Sequence, residues 1–378
     1  MTELKSLNLT PGRYPTGLVP TSYLAPLSAL TQLHSLDLQL FMCCGPLPAT
    51  ILPRLQHLTH LGLRLSSSPF GPEGVFAWGA GAAGSPRLRS LLLYGARLPP
   101  QEATVESLCQ LESLCLYGLC PTPRKLSTLV RGLTAITHLR LGDAYPADSA
   151  MKNRQHAMNP VDVGWSMQLL SGCTQLVQLE LQDHAYLVAL QLPRGALRQL
   201  TYLSLDIADV EEEVEVHASW ASLPSLARLR VTALPNATLA GLRELDMGAS
   251  VYEWGYQMEE LHFPDLAHLV VSDISFERGL PPHDMLQQLR RLTVQHYSPE
   301  WRRGPNIKEL PSALAQATSL EVLDLRGCYN LQLRKADAEL LNQLTSLRVL
   351  EVAYPQEPEV VAYLCAQVPH VRLVEEGL

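Results

Sequence analysis

Three groups of residues in this chain have types and spacings that could carry chemistry. Gly79, Gly81 and Gly84 in WGAGAAGS match G-x-G-x-x-G, the loop that lays a dinucleotide pyrophosphate on a helix N-terminus. That chemistry needs a strand directly before the glycines and a long helix directly after them. Here Ser85 and Pro86 follow and a strand pattern opens at Leu88, so the stretch reads as a small-residue turn. Cys109, Cys115 and Cys120 could ligate zinc as thiolates, but gaps of five and four residues do not form the short paired spacing of zinc sites. His57 with His60, or His262 with His268, lacks HExxH or a comparable ligand spacing. A serine or cysteine nucleophile can find its base across a fold, and nothing in the sequence points to one. The sequence therefore assigns no catalytic residue, no metal ligand and no cofactor.

The 378 residues are 47% hydrophobic and 17% charged, enough to bury a continuous core and too apolar for disorder. A formal net charge of -8 opposes wholesale binding to nucleic acid or anionic membranes, both of which need a positive field. No charged and then apolar leader opens the chain, and no run of about 18 apolar residues interrupts it. The expected location is the cytoplasm, with the nucleus and a cytoskeletal or axonemal structure as alternatives. The eight cysteines are scattered and read as reduced thiols; the glycosylation triplets at Asn8 and Asn236 read as chance matches.

What must position all these residues is a repeat. LxxLxL or a conservative variant begins at Leu4, Leu33, Leu58, Leu88, Leu111, Ile136, Leu176, Leu200, Leu226, Leu242, Leu266, Leu289, Leu320, Leu347 and Val368. From Leu4 to Val368 is 364 residues over fourteen intervals, a mean of about 26. The fourth and sixth places lie two apart and share one side of a strand, the core side. The third, fifth and seventh places alternate with them and are mostly polar, as in Ser35, Asp37 and Gln39 or Gln178, Glu180 and Gln182, so they are expected to face water. Parallel sheets are usually covered on both faces. Alternation therefore predicts an α/β solenoid, a horseshoe with about 15 short parallel strands on an open concave face and helical or irregular connections, such as Leu310 to Ala317, on the convex side.

This pattern resembles the leucine-rich repeat superfamily over essentially the whole chain. Its best single match is LEVLDLRGCYNL (Leu320 to Leu331), where Cys328 takes the place that the family fills with Asn or Cys to bond turn backbone. GPLPATILPRLQHLTHLGL (Gly45 to Leu63) is similar to the plant-type repeat, while Gly12, Phe41, Ala144 and His184 stand where the family has Asn or Cys. The irregular units look most like those of plant and green-algal intracellular proteins, including the repeat region of F-box proteins, without an F-box in the chain. The resemblance implies one repeat domain over 1–378; the 40-residue interval from Ile136 to Leu176, rich in turn formers, makes Asp143 to Trp165 an expected protruding loop. Neither end carries a polar cap, which is the expectation for a piece of a longer protein or for ends that a partner covers.

Spacing is uneven. Leu226 to Leu242 is only 16 residues, so the turn between must be compressed or broken. If the two strands remain neighbours, Arg228 lies beside Glu244 and Arg230 beside Asp246, either as a structural ion-pair ladder or as a charged recognition patch. The run Glu211 to His217 reads as a short convex strand or a solvated flank. Three turns, Val251 to Tyr256, Ser275 to Gly279 and Tyr297 to Gly304, place Trp254, Phe276, Arg278, Trp301, Arg302 and Arg303 on one rim, where the aromatics serve either a partner or the convex core.

The resulting expectation is a non-catalytic scaffold for a protein partner. Tyr94, Tyr117, Arg140, Tyr202, Arg228, Arg230, Glu244, Asp246 and Arg291 are its candidate contacts on the concave face, joined by the rim residues. Nucleic acid, membrane and small-molecule substrates are not expected. By resemblance to F-box repeat proteins, a substrate-recognition subunit of a ubiquitin ligase is the alternative, and a structural cytoskeletal or axonemal component is another.

Overall fold

A computed structural model describes residues 3–9, 19–40, 43–44, 51–65, 87–94, 108–117, 132–142, 167–182, 197–206, 223–231, 239–247, 263–272, 276, 280–296, 309–328, 331–352, 358–367 and 372–375. Most strands form where the repeat places its third to seventh residues; β2 and β4 lie between those places. They are β1 (Ser6–Leu9), β2 (Val19–Pro20), β3 (Ser35–Leu40), β4 (Cys43–Cys44), β5 (His60–Leu65), β6 (Ser90–Tyr94), β7 (Ser113–Tyr117), β8 (His138–Gly142) and β9 (Gln178–Gln182). There follow β10 (Tyr202–Asp206), β11 (Arg228–Val231), β12 (Glu244–Met247), β13 (His268–Ser272), β14 (Arg291–Gln295), β15 (Val322–Leu325), β16 (Val349–Val352) and β17 (Arg372–Glu375).

The chain divides into two compact units. In the first, β1, β3, β5, β6, β7, β8 and β9 pair in that order, all parallel, and β2 pairs with β4 beside them. In the second, β10 to β17 pair in sequence order, again all parallel. Equal repeat places lie opposite one another, so Leu36, Leu61, Leu91, Leu114, Leu139 and Leu179 form one continuous row. Leu36 and Leu38 point inward, 1% and 0% exposed, as the alternation requires. Fully burying one such leucine stabilises by about 1.5–3 kcal/mol; the repeats from Leu33 to Leu347 bury their first, fourth and sixth places, while Leu4 and Leu9 of the first repeat are exposed.

The core takes one more residue per repeat than the LxxLxL reading assigned. Three residues before the first leucine stands another buried apolar side chain, Leu55, Leu108, Phe263 and Leu344 among them. A tight turn explains it: Leu58 N donates to Leu55 O at 3.0 Å, Leu111 N to Leu108 O at 3.0 Å and Leu347 N to Leu344 O at 2.9 Å. Most strands then start on a shared acceptor. Thr59 N and His60 N both donate to His34 O, Glu112 N and Ser113 N to Arg89 O, and Arg290 N and Arg291 N to Ala267 O.

That device corrects the last repeat. The sequence pattern puts Val371 and Leu373 at the fourth and sixth places, but Leu373 pairs with Leu350, which is a fourth place. Arg372 N donates to Arg348 O at 2.7 Å, so the backbone bond sets the register two residues later than the pattern read from the side chains.

Connections on the core side are α1 (His283–Gln288), α2 (Lys335–Gln343), α3 (Pro358–Gln367) and 3-10 turns, including Ser312–Gln316 inside the expected helical piece. Asp337 anchors α2: its buried carboxylate accepts from Arg334 N at 2.7 Å, capping the helix, and from Leu310 N at 3.1 Å, tying it to the preceding repeat. Cys328 is buried, its N bonded to Leu325 O and its carbonyl accepting from Leu331 N. Strands β11 and β12 are neighbours despite their short spacing, while the turn at 232–238, the insertion at 143–165, the glycine loop at 79–84 and the acidic run at 211–217 lie outside the described residues. No helix among the described residues is long and apolar enough to cross a membrane.

Gly327 follows β15 where two repeats touch through backbone. Its N donates to Val294 O at 3.0 Å, and a Cβ there would fall 2.2 Å from that same oxygen. Gly327→Ala should therefore destabilise by about 1–3 kcal/mol through forced backbone shifts. Gly172→Ala, where an added Cβ meets nothing within 4 Å, should be neutral or slightly stabilising. Urea denaturation of both variants checks this, and equal midpoints would count against the close approach.

Candidate functional site

The third, fifth and seventh places of each unit stand on the sheet face opposite the leucine core. In the first unit β6 and β7 contribute Ser90, Leu92 and Tyr94, and Ser113, Cys115 and Tyr117. The tyrosine rings lie 6.0 Å apart between centroids, tilted by 44°, and Tyr94 is 38% exposed. A pair of this kind is worth about 0.5–1.5 kcal/mol beyond its buried area. Charges flank it on both sides. Arg64 on β5 lies 3.9 Å from Asp37 on β3, and Arg140 on β8 donates to Glu180 on β9, which also accepts from Gln178 Nε2.

This arrangement corrects one expectation. Glu180 was expected to face water, yet its side chain is only 6% exposed, because Arg140 and Gln178 close over it. Burial pushes the Cys115 thiol up, opposed by Arg140. Burial and the neighbouring Cys115 push the Tyr117 hydroxyl up to about 12, while the hydrogen bond to Glu180 raises Arg140 further above its ordinary value.

In the second unit Arg228 lies over the Tyr202 ring, 5.3 Å from its centroid. Arg230 meets Asp246 at 3.8 Å, as the register predicts, and Glu244 meets His268 Nδ1 at 3.7 Å. His268 Nε2 lies 3.1 Å from Thr293 Oγ1. Burial lowers the His268 pKa, with Glu244 working in the opposite direction. Further along, Asp324 and Glu351 stand side by side on β15 and β16. Arg326 reaches them at 2.7 and 3.0 Å and Arg291 at 3.5 and 3.9 Å. Burial alone would raise the Asp324 carboxyl, but hydrogen bonds from Arg326 outweigh it and hold the group below its usual value.

The structure therefore brings Tyr94, Tyr117 and Arg140 together in one unit, and Tyr202, Arg228, Arg230, Glu244, Asp246 and Arg291 onto one face of the other. Phe276 is a correction: expected on the rim, it is 0% exposed and among the largest fully buried side chains, so it serves the core. Trp254, Arg278, Trp301, Arg302 and Arg303 lie outside the described residues. Sequence reasoning missed Arg64, Asp324, Arg326 and Glu351. Aligning every fifth and seventh place across the ladder would have found them.

No group of three or more histidine, cysteine or acidic side chains that could hold a metal occurs among the described residues. Cys173 takes the extra core position before Leu176, where burial pushes its thiol up to about 11. Cys109 and Cys365 are exposed. Iodoacetamide at pH 8 should alkylate Cys109 and Cys365 well before Cys115 and Cys173 in the native protein, because the thiolate reacts and the last two thiols stay protonated. Peptide mapping after a short pulse checks the order; early label on Cys173 would contradict its burial.

Asp324 gives a pH dependence. Its native pKa lies below the unfolded 3.8, so its contribution is complete above 3.8 and is lost as pH falls through the native value. Asp324→Asn should cost about 1–3 kcal/mol at neutral pH. The gap to wild type should shrink only below about pH 4. Denaturation at pH 7, 5 and 3 measures it, and a gap independent of pH would refute the assignment.

No family model and no curated protein sequence matches the chain. Among solved structures it is similar to a leucine-rich repeat protein of Leptospira interrogans, at 16% identity and a TM-score of 0.42, covering 92% of this chain and 91% of that one. It is also similar to an internalin of Listeria monocytogenes, at 17% identity and a TM-score of 0.41, covering 93% and 82%. Independently of these likenesses, in-register parallel strands, leucines or other apolar residues buried at the first, fourth and sixth places from Leu33 to Val352, and connections packed on the core side give both units the leucine-rich repeat fold.

Proposed function

We propose that the chain is a non-catalytic scaffold that holds a protein partner on its open sheet faces. The observation that carries this reading is the state of the outward side chains. Tyrosines and arginines, the residue types that dominate interface energetics, are half-exposed yet already fixed by neighbours on adjacent strands. Tyr94 lies tilted against Tyr117, Arg140 is held by Glu180, Arg228 by Tyr202 and Arg291 by Asp324. Side chains ordered before binding lose less entropy on association, which is how a surface of modest area gains affinity.

The test is affinity capture from native extract with the full chain as bait. Replacing Tyr94 and Tyr117 by alanine, or Arg228 and Arg291, should lower recovery of the same bound protein at least about fivefold for each hot-spot residue. Arg54→Ala, on a 3-10 turn, should change nothing. Unchanged recovery with both face variants would remove the reading. The same assay with Trp301 and Arg302 replaced tests the rim.

A further inference from the structure

On the open faces and at the strand starts beside them, an arginine normally has its carboxylate. In the first unit Arg64 lies near Asp37, Arg89 near Glu112 and Arg140 against Glu180. The second unit follows the rule with Arg230 and Asp246, with Arg290 and Glu321, and with Arg291 and Arg326 over Asp324 and Glu351. Four arginines of that unit break it. Arg228 and Arg372 stand at third places and Arg243 and Arg348 at second places, all four exposed and with no acidic partner among the described residues. Arg228 rests on the Tyr202 ring, and Arg348 Nη1 donates to the backbone oxygens of Thr345 and Leu347. Such contacts hold a guanidinium in place without cancelling its charge.

Register gathers these four into two doublets. Arg243 N donates to the oxygen of Ala227, next to Arg228, and Arg372 N donates to the oxygen of Arg348, so the members of each doublet are one ladder step apart. From β12 to β16 is four steps, about 19 Å at roughly 4.8 Å per step. All four lie at strand starts, along one rim of the second unit. The acidic side chains there are turned elsewhere: Glu244, opposite Arg228 in register, meets His268, Glu321 meets Arg290, and Asp265 accepts from the Gly241 amide. The rim therefore carries an excess of positive charge on a chain whose formal net charge is -8.

A surplus of guanidinium calls for carboxylate, which it binds through two parallel N–H donors. Two observations say what carries the carboxylates. A long polyanion such as nucleic acid meets the field of the whole chain, which is negative, whereas a short acidic stretch meets only the rim. Beside the second doublet the third places hold Val322 and Val349, both half-buried, and such apolar surface suits a polypeptide side chain. We infer that the strand-start rim of β11 to β17 holds an acidic extended segment of the protein partner. Its aspartates or glutamates pair with Arg228 and Arg243 at one end and with Arg348 and Arg372 at the other. About six residues of extended chain cover the distance between the doublets. This rests on the scaffold reading above and names the chemistry of its ligand.

The experiment pans a displayed library of random twelve-residue peptides on the intact chain, then measures the affinity of the enriched peptide by fluorescence anisotropy. Enrichment of two groups of Asp or Glu about six residues apart is the expected result. Arg243→Glu and Arg348→Glu should each weaken the selected peptide at least about threefold, and the double variant should lose more than either. Arg243→Lys, which keeps the charge, should retain most of the affinity, and Arg54→Glu, on a 3-10 turn of the first unit, should change nothing. Unchanged thermal unfolding of these variants shows that the fold is kept. Basic or uncharged consensus peptides, peptides with a single acidic group, affinity indifferent to both charge reversals, or tighter binding of a twelve-nucleotide single-stranded DNA than of the peptide would overturn the inference. If no peptide is enriched while the captured protein is still lost on Tyr94 and Tyr117 substitution, the acidic ligand is refuted and the scaffold stands. If that capture is also indifferent to the face variants, both fall.

Discussion

The structure depends on register. Two amides at the start of most strands share one carbonyl of the preceding repeat, as Thr59 and His60 do with His34 O, and this repeats along both units. Because a strand alternates its sides with period two, a slip of one residue would turn every leucine of that repeat out to water. The shared acceptor and the leucines therefore enforce each other: the backbone bond selects the register, and burial of the first, fourth and sixth places rewards only that choice. Where the two signals disagree, in β17, the ladder follows the backbone bond and takes Leu373 at the fourth place.

A register this strict has consequences on the other face. Equal places recur at about 4.8 Å, so the open surface consists of rows in which each side chain meets its counterpart from the next repeat. Like charges in a row repel unless something lies over them. Asp324 and Glu351 are such neighbours, and the structure supplies Arg326 and Arg291 to cover both. Elsewhere signs alternate, as with Arg230 and Asp246, or a ring takes the place of a counter-ion, as Tyr202 does under Arg228. Outward residues on this face are thus chosen under a packing constraint, and a substitution at one repeat is felt by its neighbours.

This division explains what the sequence could disclose. Strand positions and the inward leucines were legible because period two and a mean spacing of about 26 are properties of neighbouring residues. The pairing of Arg230 with Asp246 followed from register alone. The burial of Glu180 and Asp324 did not, since it arises when long side chains from other strands fold over them; polarity suggested water where the structure supplies arginine. Phe276 misled for the converse reason: an aromatic in a turn sequence looks like an interface anchor, and only packing shows that it belongs to the core. The extra buried position three residues upstream was present in the sequence all along, at Leu55, Leu108 and Leu344. It was overlooked because the tight turn after it breaks the strand periodicity.

The same packing bears on chemistry. Every shift resolved on these faces moves its group away from the range where protons are exchanged near neutral pH: Cys115 and Tyr117 upward through burial, Arg140 upward through Glu180, His268 downward through burial, Asp324 downward through Arg326. A recognition surface gains from groups locked in one protonation state, because donors and acceptors that never change sign present one pattern to a partner. Leucine register on one side and paired charges on the other are thus two results of in-step strands within each unit.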